Sequence, residues 1–220
     1  MNFSISIAAR SSPLSRAQFE EVTAELALHH PHVQLQPIWV ETTGDKDQKT
    51  SLRTLDKTDF FTREIDVLQL ARKTRLSLHS AKDLPNPLPE GLSIVALTRG
   101  VDPSDVLVLR ENETLQLLPP GARIGTSAER REKNVTALRA DLQCVDIRGN
   151  IAKRLSLLDQ RIVDGVVMAE AALIRLKLTH RNRIPLVGER AELQGQLAVL
   201  ALADDEEMHL LLKCLDTRGF

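Results

Sequence analysis

The chain has 220 residues and a formal net charge of −1, with 42% hydrophobic and 27% charged residues. That composition supports ordinary cores in one large domain or two small ones. It holds no run of about 18 apolar residues that could span a bilayer and no basic-then-apolar leader, and with 3% aromatic residues and no tyrosine it is poorly equipped to stack on bases, so neither membrane nor nucleic acid is expected as a partner.

Phe3, Ile5 and Ile7 alternate with Ser4, Ser6 and Ala8, a strand pattern. In the Arg10-Ser11-Ser12-Pro13 that follows, Ser12 suits a helix N-cap and Pro13 the first helical position. Leu14, Gln18, Val22 and Leu26 predict a helix to about His29, and a second strand is expected over Val33 to Val40. Glu41 to Lys49 reads as a polar loop, and Phe61, Ile65 and Leu68 mark a further amphipathic helix. An apolar strand at Leu76 to Leu78 then runs into His79-Ser80-Ala81-Lys82-Asp83-Leu84-Pro85. A cation beside a carboxylate at a strand end is poorly explained by packing; it suits a place where an anionic substrate is held and a proton or positive charge is handled.

Leu92 to Leu97 and Val106 to Leu109 are expected strands, and Thr98 to Asp105, with Gly100 and Pro103, is a crossover between lobes. The pattern then begins again. A short strand ends at Ile124-Gly125, and Thr126-Ser127-Ala128-Glu129 reads as a capping box. A strand over Cys144 to Ile147 ends in Arg148-Gly149-Asn150, with Asn150 capping a helix that carries Ile151, Leu155 and Leu158 on one face. Val166 to Met168 is a buried strand, followed by a helix through Arg175, and Gly195-Gln196 is a second crossing turn. Repeated strand–helix alternation implies an α/β fold with parallel or mixed sheets.

Arg10, Ser12, Lys82, Asp83, Thr126, Ser127, Arg130, Arg131, Arg148 and Arg154 all fall at carboxyl ends of expected strands or in first turns of helices. Ligands bind at such places in open α/β sheets, and helix N-termini favour anions. Cations dominate the set, so a ligand with several carboxylates or phosphates is expected. Neither a phosphate-binding glycine–lysine loop nor a dinucleotide glycine fingerprint is present. Arg130 and Arg131 point in different directions on a helix, leaving open whether one meets a ligand and the other a lobe interface. His79 reads as a hydrogen-bonded core residue, with no second ligand spaced for a metal, and no metal is expected. Cys144 and Cys214 make no disulfide framework, which suits a reducing cytoplasm.

In order, the chain carries Ile7-Ala8-Ala9-Arg10-Ser11-Ser12-Pro13-Leu14, His79 to Pro85, Gly125-Thr126-Ser127 with Arg130-Arg131, Arg148-Gly149-Asn150 with Arg154-Leu155-Ser156, Asp164 to Ala169 through Arg175-Leu176, and Gly195-Gln196. Together these resemble the porphobilinogen deaminase (hydroxymethylbilane synthase) family. The resemblance implies two lobes like those of periplasmic binding proteins with a central cleft, the first lobe formed by 1–98 plus about 195–220 and the second by about 99–194. It implies a cytoplasmic monomer that joins four porphobilinogen molecules head to tail, with loss of ammonia, in tetrapyrrole biosynthesis. Asp83 is then the catalytic carboxylate, and Arg10, Ser12, Ser80, Lys82, Thr126, Ser127, Arg130, Arg131, Arg148, Gly149, Arg154 and Arg175 hold carboxylates of substrate, chain or cofactor. Two departures from the family accompany the likeness. Asp56-Lys57-Thr58-Asp59 stands before Phe60-Phe61 where the family has a glycine-rich loop. The family's third, C-terminal domain, whose cysteine anchors a dipyrromethane primer, is expected to be absent, since the sequence ends at Phe220, before that domain would begin. How a dipyrromethane cofactor would be attached stays open: the primer is held noncovalently, or Cys214 or Cys144 substitutes for the anchor, or processive synthesis has been lost. The rival reading is a non-catalytic module of the periplasmic-binding-protein type that takes a pyrrole or another polyanion.

Overall fold

The computed structural model describes residues 3–51, 53 and 58–219. It divides into two compact units: Met1–Lys46 with Lys57–Gly100 and Gln196–Phe220, and Asp47–Asp56 with Val101–Gly195. The segment Asp47–Asp56, which chain order alone would leave in the first unit, groups with the second. Among the described residues each unit is built on a five-stranded mixed sheet.

In the first unit β1 (Phe3–Arg10) lies between β2 (Val33–Val40) and β3 (Leu76–Ser80), all parallel, and β10 (Leu197–Leu202) runs antiparallel between β3 and β4 (Leu92–Leu97). Pro37 is tolerated in β2 because that strand is a sheet edge, where a missing N–H breaks no ladder. Helix α1 (Pro13–His29) starts as its sequence predicts: Ser12 Oγ accepts the Ser15 N–H at 3.2 Å and Pro13 stands in the first turn. It buries Ser15, Gln18, Val22 and Leu26.

The loop expected over Glu41 to Lys49 contains a short helix, α2 (Thr43–Lys46). Asp45 winds it by accepting the N–H and hydroxyl of Thr42 at 3.1 and 2.9 Å. The next helix, α3 (Arg63–Leu70), buries Ile65 as expected, but with Asp66 and Gln69 beside it; Leu68 is half-buried and Phe61 lies before the helix. Gln69 can enter the core because every arm is used: its amide donates to Leu200 O at 2.7 Å and Arg75 O at 3.2 Å, and its oxygen accepts the Ser77 hydroxyl at 2.7 Å. Of the departure over Asp56 to Asp59, Asp56 and Lys57 lie outside the described residues. Helix α7 (Glu206–Leu212) completes this unit, its Asp205 cap accepting the Met208 N–H at 3.3 Å.

The second unit repeats the arrangement. Strand β6 (Arg123–Gly125) lies between parallel β7 (Gln143–Val145) and β8 (Gly165–Ala169), and antiparallel β5 (Asp105–Val108) lies between β8 and β9 (Arg183–Leu186). Helices α4 (Glu129–Leu138), α5 (Ile151–Asp159) and α6 (Glu170–Arg175) join these strands. The capping box expected at Thr126 is not formed. The helix begins only at Glu129, so the cap position is Ala128, with no side-chain cap bond; the Thr126 hydroxyl faces the Ala128 N–H, and the Ser127 hydroxyl donates to Ile147 O and accepts the Ile147 N–H. The Asn150 cap of α5 is formed, its side chain accepting the Lys153 N–H at 3.0 Å. Fully buried Ile5, Ile7, Leu76 and Leu78 in one sheet and Leu107, Ile124 and Met168 in the other anchor the cores, each such side chain contributing about 1.5–3 kcal/mol.

Candidate active site

In the first unit the parallel strands β1 and β3 end side by side. Arg10 closes β1; it donates from Nε to Asp45 Oδ2 at 3.2 Å and from Nη2 to Oδ1, and its guanidinium lies 4.5 Å from the centre of the Phe61 ring. Burial alone would raise the Asp45 carboxyl, but Arg10, and then Thr42, hold it below the usual carboxylate range. Gly44 permits this seat, since a Cβ there would fall 2.3 Å from the Phe61 ring. Ser12 is the cap of α1. Ser80, at the end of β3, accepts the Gln18 amide at 2.8 Å, tying α1 to that strand end. The chain then makes a 3-10 turn over Ala81–Asp83 that presents Lys82 and Asp83, both half-buried. Among the described residues the Asp83 carboxylate accepts no hydrogen bond and forms no ion pair.

His79 is a core residue, as its sequence context predicts. Its Nε2 lies 3.1 Å from Ser77 Oγ and 3.7 Å from Asp66 Oδ1, the latter beyond hydrogen-bond reach. Burial, and then the charge of Arg10, push the imidazole down to about 3, so it is neutral at neutral pH and makes no ion pair with Asp66.

In the second unit the cations gather around the ends of β6 and β7. Arg131 donates from Nε and Nη2 to Asp105 Oδ1 at 3.1 and 2.6 Å, and Arg130 donates from Nη1 to Asp105 Oδ2 and from Nη2 to Gln194 Oε1 at 3.0 Å. Within the unit both members of this adjacent pair reach the same buried acid. Thr126 is fully buried and its hydroxyl lies 3.4 Å from the Ala128 N–H. Arg148 donates to Asp47 O, and Arg154 donates from Nε to Gly149 O at 2.9 Å. Gly149 has φ +104°, and a Cβ there would lie 2.6 Å from Lys153 Cδ, so this turn needs glycine. Burial, and then the charges of Arg131 and Arg148, lower the Arg154 guanidinium to about 10, against the opposing pull of Asp146. The positive charges of Arg131 and Arg148 are thus both felt at Arg154. Arg175, at the end of α6, donates to Gly195 O at 2.8 Å.

Asp105 and Gln194 carry no motif of their own in the sequence. The signal available for Asp105 was an acid opening an otherwise apolar strand. Cys144 and Cys214 are both half-buried against apolar cores, and burial raises both thiols above their ordinary value. Neither has the lowered pKa of a reactive cysteine. Among the described residues no cluster of three or more metal-binding side chains occurs, and no helix is long and apolar enough to cross a membrane.

Two five-stranded mixed sheets of like strand order, each with cations near the carboxyl ends of its parallel strands, define an α/β protein with the two-lobed fold of periplasmic binding proteins. Solved structures share the fold: a periplasmic substrate-binding protein of an ABC transporter from Coxiella burnetii is 13% identical over 98% of this chain and 93% of its own, with a TM-score of 0.59. A probable amino-acid ABC transporter extracellular-binding protein from Bacillus subtilis is 12% identical over 98% and 91%, with a TM-score of 0.56. The family model described as "Porphobilinogen deaminase, dipyromethane cofactor binding domain" matches residues 5–210. Relatives named porphobilinogen deaminase include those of Desulforudis audaxviator, 39% identical over 98% of this chain and 71% of that protein, and Xanthomonas oryzae pv. oryzae, 38% identical over 96% and 70%. One from Chlamydia muridarum, named a probable porphobilinogen deaminase, is 39% identical over 94% of this chain and 86% of its own length. The chain belongs to the porphobilinogen deaminase family.

Proposed function

We propose that this protein condenses four porphobilinogen molecules head to tail into the linear tetrapyrrole hydroxymethylbilane, as a transferase of tetrapyrrole biosynthesis. The observation that carries this reading is the Asp83 carboxylate, half-buried at the end of β3 and unpaired among the described residues, in a chain that spends acids such as Asp45, Asp105, Asp205 and Glu170 on arginines. In the reaction the C–N bond of the substrate's aminomethyl group breaks, ammonia leaves, and a positive charge develops on the pyrrole methylene. A carbon–carbon bond then forms to the next pyrrole, whose ring carbon gives up its proton. A carboxylate without a competing counter-ion stabilises the developing cation and receives or returns the protons.

Every substrate unit carries an acetate and a propionate. Arg10, Ser12, Ser80 and Lys82 of the first unit, and Thr126, Ser127, Arg130, Arg131, Arg148, Gly149, Arg154 and Arg175 of the second, hold those groups in this reading, guanidiniums being the side chains best shaped to meet carboxylates. The repulsion of Arg154 by Arg131 and Arg148 is relieved by an anion, so these residues also fit a dipyrromethane cofactor, which bears the same carboxylates. When bound, that group supplies the pyrrole carbon to which the first substrate is joined. The same reading makes the protein a cytoplasmic monomer, in keeping with two thiols that remain unlinked.

Incubating the protein with porphobilinogen, oxidising the products and detecting uroporphyrin tests the assignment. Uroporphyrin with matching ammonia is the expected result. Porphobilinogen bound without any ammonia would replace the enzyme with a binding module.

A further inference from the structure

Arg130 and Arg131 are consecutive on α4, so their side chains leave the helix about 100° apart and would ordinarily address different surroundings. One carboxylate overrides that divergence. Asp105, 1% exposed at the start of β5, takes Nε and Nη2 of Arg131 on one oxygen and Nη1 of Arg130 on the other. Gln194, 4% exposed, locks the acid in turn. Its amide donates to Asp105 Oδ1 at 3.1 Å and to the carbonyls of Pro103 and Ser104 at 2.7 and 3.1 Å, while its oxygen accepts Arg130 Nη2 at 3.0 Å. The next residue, Gly195, has φ +90°, and a Cβ there would lie 2.6 Å from Asp102 O, so the backbone beside this knot is closely packed as well. Two guanidiniums share one carboxylate, leaving a net positive charge. Among the described residues Arg131 Nη1 has no acceptor, although the rest of that guanidinium is used. The charge of Arg131 acts on Arg154, in the cluster read above as the carboxylate site.

We infer that Asp105 is a positioning residue for this anion site: it holds one edge of Arg131 and one nitrogen of Arg130 so that their remaining N–H donors are presented to the carboxylates of a pyrrole ligand, with Gln194 fixing Asp105 in place. The inference rests on the proposed function for the identity of the ligand, not for the geometry.

Charge and position make opposite predictions for Asp105→Asn. The substitution removes a negative charge from beside an anion site, so bulk electrostatics alone would tighten anion binding. Loss of positioning weakens it, because an amide carries one acceptor oxygen and turns an N–H group toward a guanidinium. Porphobilinogen binding is measured by calorimetry in an Asp83→Asn background, where no turnover intervenes, and steady-state KM and kcat are measured with Asp83 intact. The expected result for Asp105→Asn is a Kd and KM raised about tenfold or more, the scale of one charge-assisted hydrogen bond, with kcat affected less. Gln194→Met, which loosens the acid without leaving an unpaired charge, should shift both constants in the same direction by less, and it carries the test if Asp105→Asn does not fold. Independently of any ligand, the Arg131 Nε–H should exchange slowly with solvent in the parent protein and rapidly in either variant. Binding that is unchanged or tighter in the variants, or Nε–H exchange that does not respond, overturns the inference. If the parent binds no porphobilinogen, the functional reading fails instead, and Nε–H exchange still decides the role of Asp105.

Discussion

In the first unit a strand-end arginine, Arg10, is given to Asp45 and to the face of Phe61, while the strand-end acid, Asp83, stays unpaired among the described residues. In the second unit the acid is the residue that is committed, Asp105 to two arginines, while burial, and then the charges of Arg131 and Arg148, lower the Arg154 guanidinium to about 10. The two sheets share one topology, so the difference lies in side chains placed at equivalent strand ends rather than in the scaffold. The first unit keeps negative charge available, which a departing ammonia and a developing cation need. The second stores positive charge, which carboxylate side chains need. In the proposed reading, similar architecture serves chemistry in one unit and holding in the other.

The largest effect that can break this contrast is on turnover. Asp83→Ala should lower tetrapyrrole formation by about 10²–10⁴-fold, the usual worth of a positioned acid or base, with an unchanged melting temperature; tetrapyrrole yield at parental level would leave the first unit without its assigned role. On the holding side, Arg148→Met should raise KM for porphobilinogen about ten- to hundredfold while kcat moves less, as steady-state kinetics will read. An equal fall in kcat with constant KM would place Arg148 in the chemical step instead.

Gly149→Ala tests the turn that carries the carbonyl bonded by Arg154. With φ at +104° and Lys153 in the way of a Cβ, the variant should lose about 1–3 kcal/mol of stability, seen as a lower denaturation midpoint. A midpoint equal to that of the parent would show that the turn tolerates a side chain.

The smallest effect concerns the buried pair behind β3. Burial, and then Asp59 and Glu64, raise the Asp66 carboxyl to about 6, both of its oxygens being buried without a hydrogen-bond partner, while burial and Arg10 lower His79 to about 3. Between pH 3.8 and about 6 the folded protein holds the Asp66 proton that the unfolded chain has released, so this group's contribution to stability falls as pH rises. Between about 3 and 6.5 the unfolded chain holds a His79 proton that the fold excludes, so that contribution rises with pH. The slopes oppose each other in the parent. Asp66→Asn should therefore steepen the loss of stability below pH 6, and His79→Gln should flatten or reverse it, as melting temperatures across pH 4 to 7 will show. Parallel profiles for parent and variants would contradict this balance.

Much of the framework was legible because it depends on local signals. Ser12-Pro13 and Asn150 announce helix starts through capping chemistry, and apolar alternation announces the strands. Asp83 stood out because a charged pair at the end of an apolar strand has no packing explanation. What was hidden depends on partners far away in sequence. Thr126 to Glu129 looks like a capping box, but the helix starts at Glu129 with Ala128 as its cap, and Ser127 is tied to Ile147, twenty residues on. Asp66 and Gln69 look like the wet face of α3 because the carbonyl of Leu200 and the hydroxyl of Ser77, which admit Gln69 to the core, come from other elements. Asp105 reads as the end of a crossover, and only the folded chain brings Arg130, Arg131 and Gln194 to it.

The account turns on Asp83, and the most direct measurement follows porphobilinogen binding and ammonia release side by side in the parent and in Asp83→Asn. The account predicts ammonia in step with porphobilinogen consumed by the parent, and a variant that binds porphobilinogen within a few-fold of the parent (a factor of ten would be about 1.4 kcal/mol) yet releases almost none. Ammonia release by Asp83→Asn at the parental rate would contradict it.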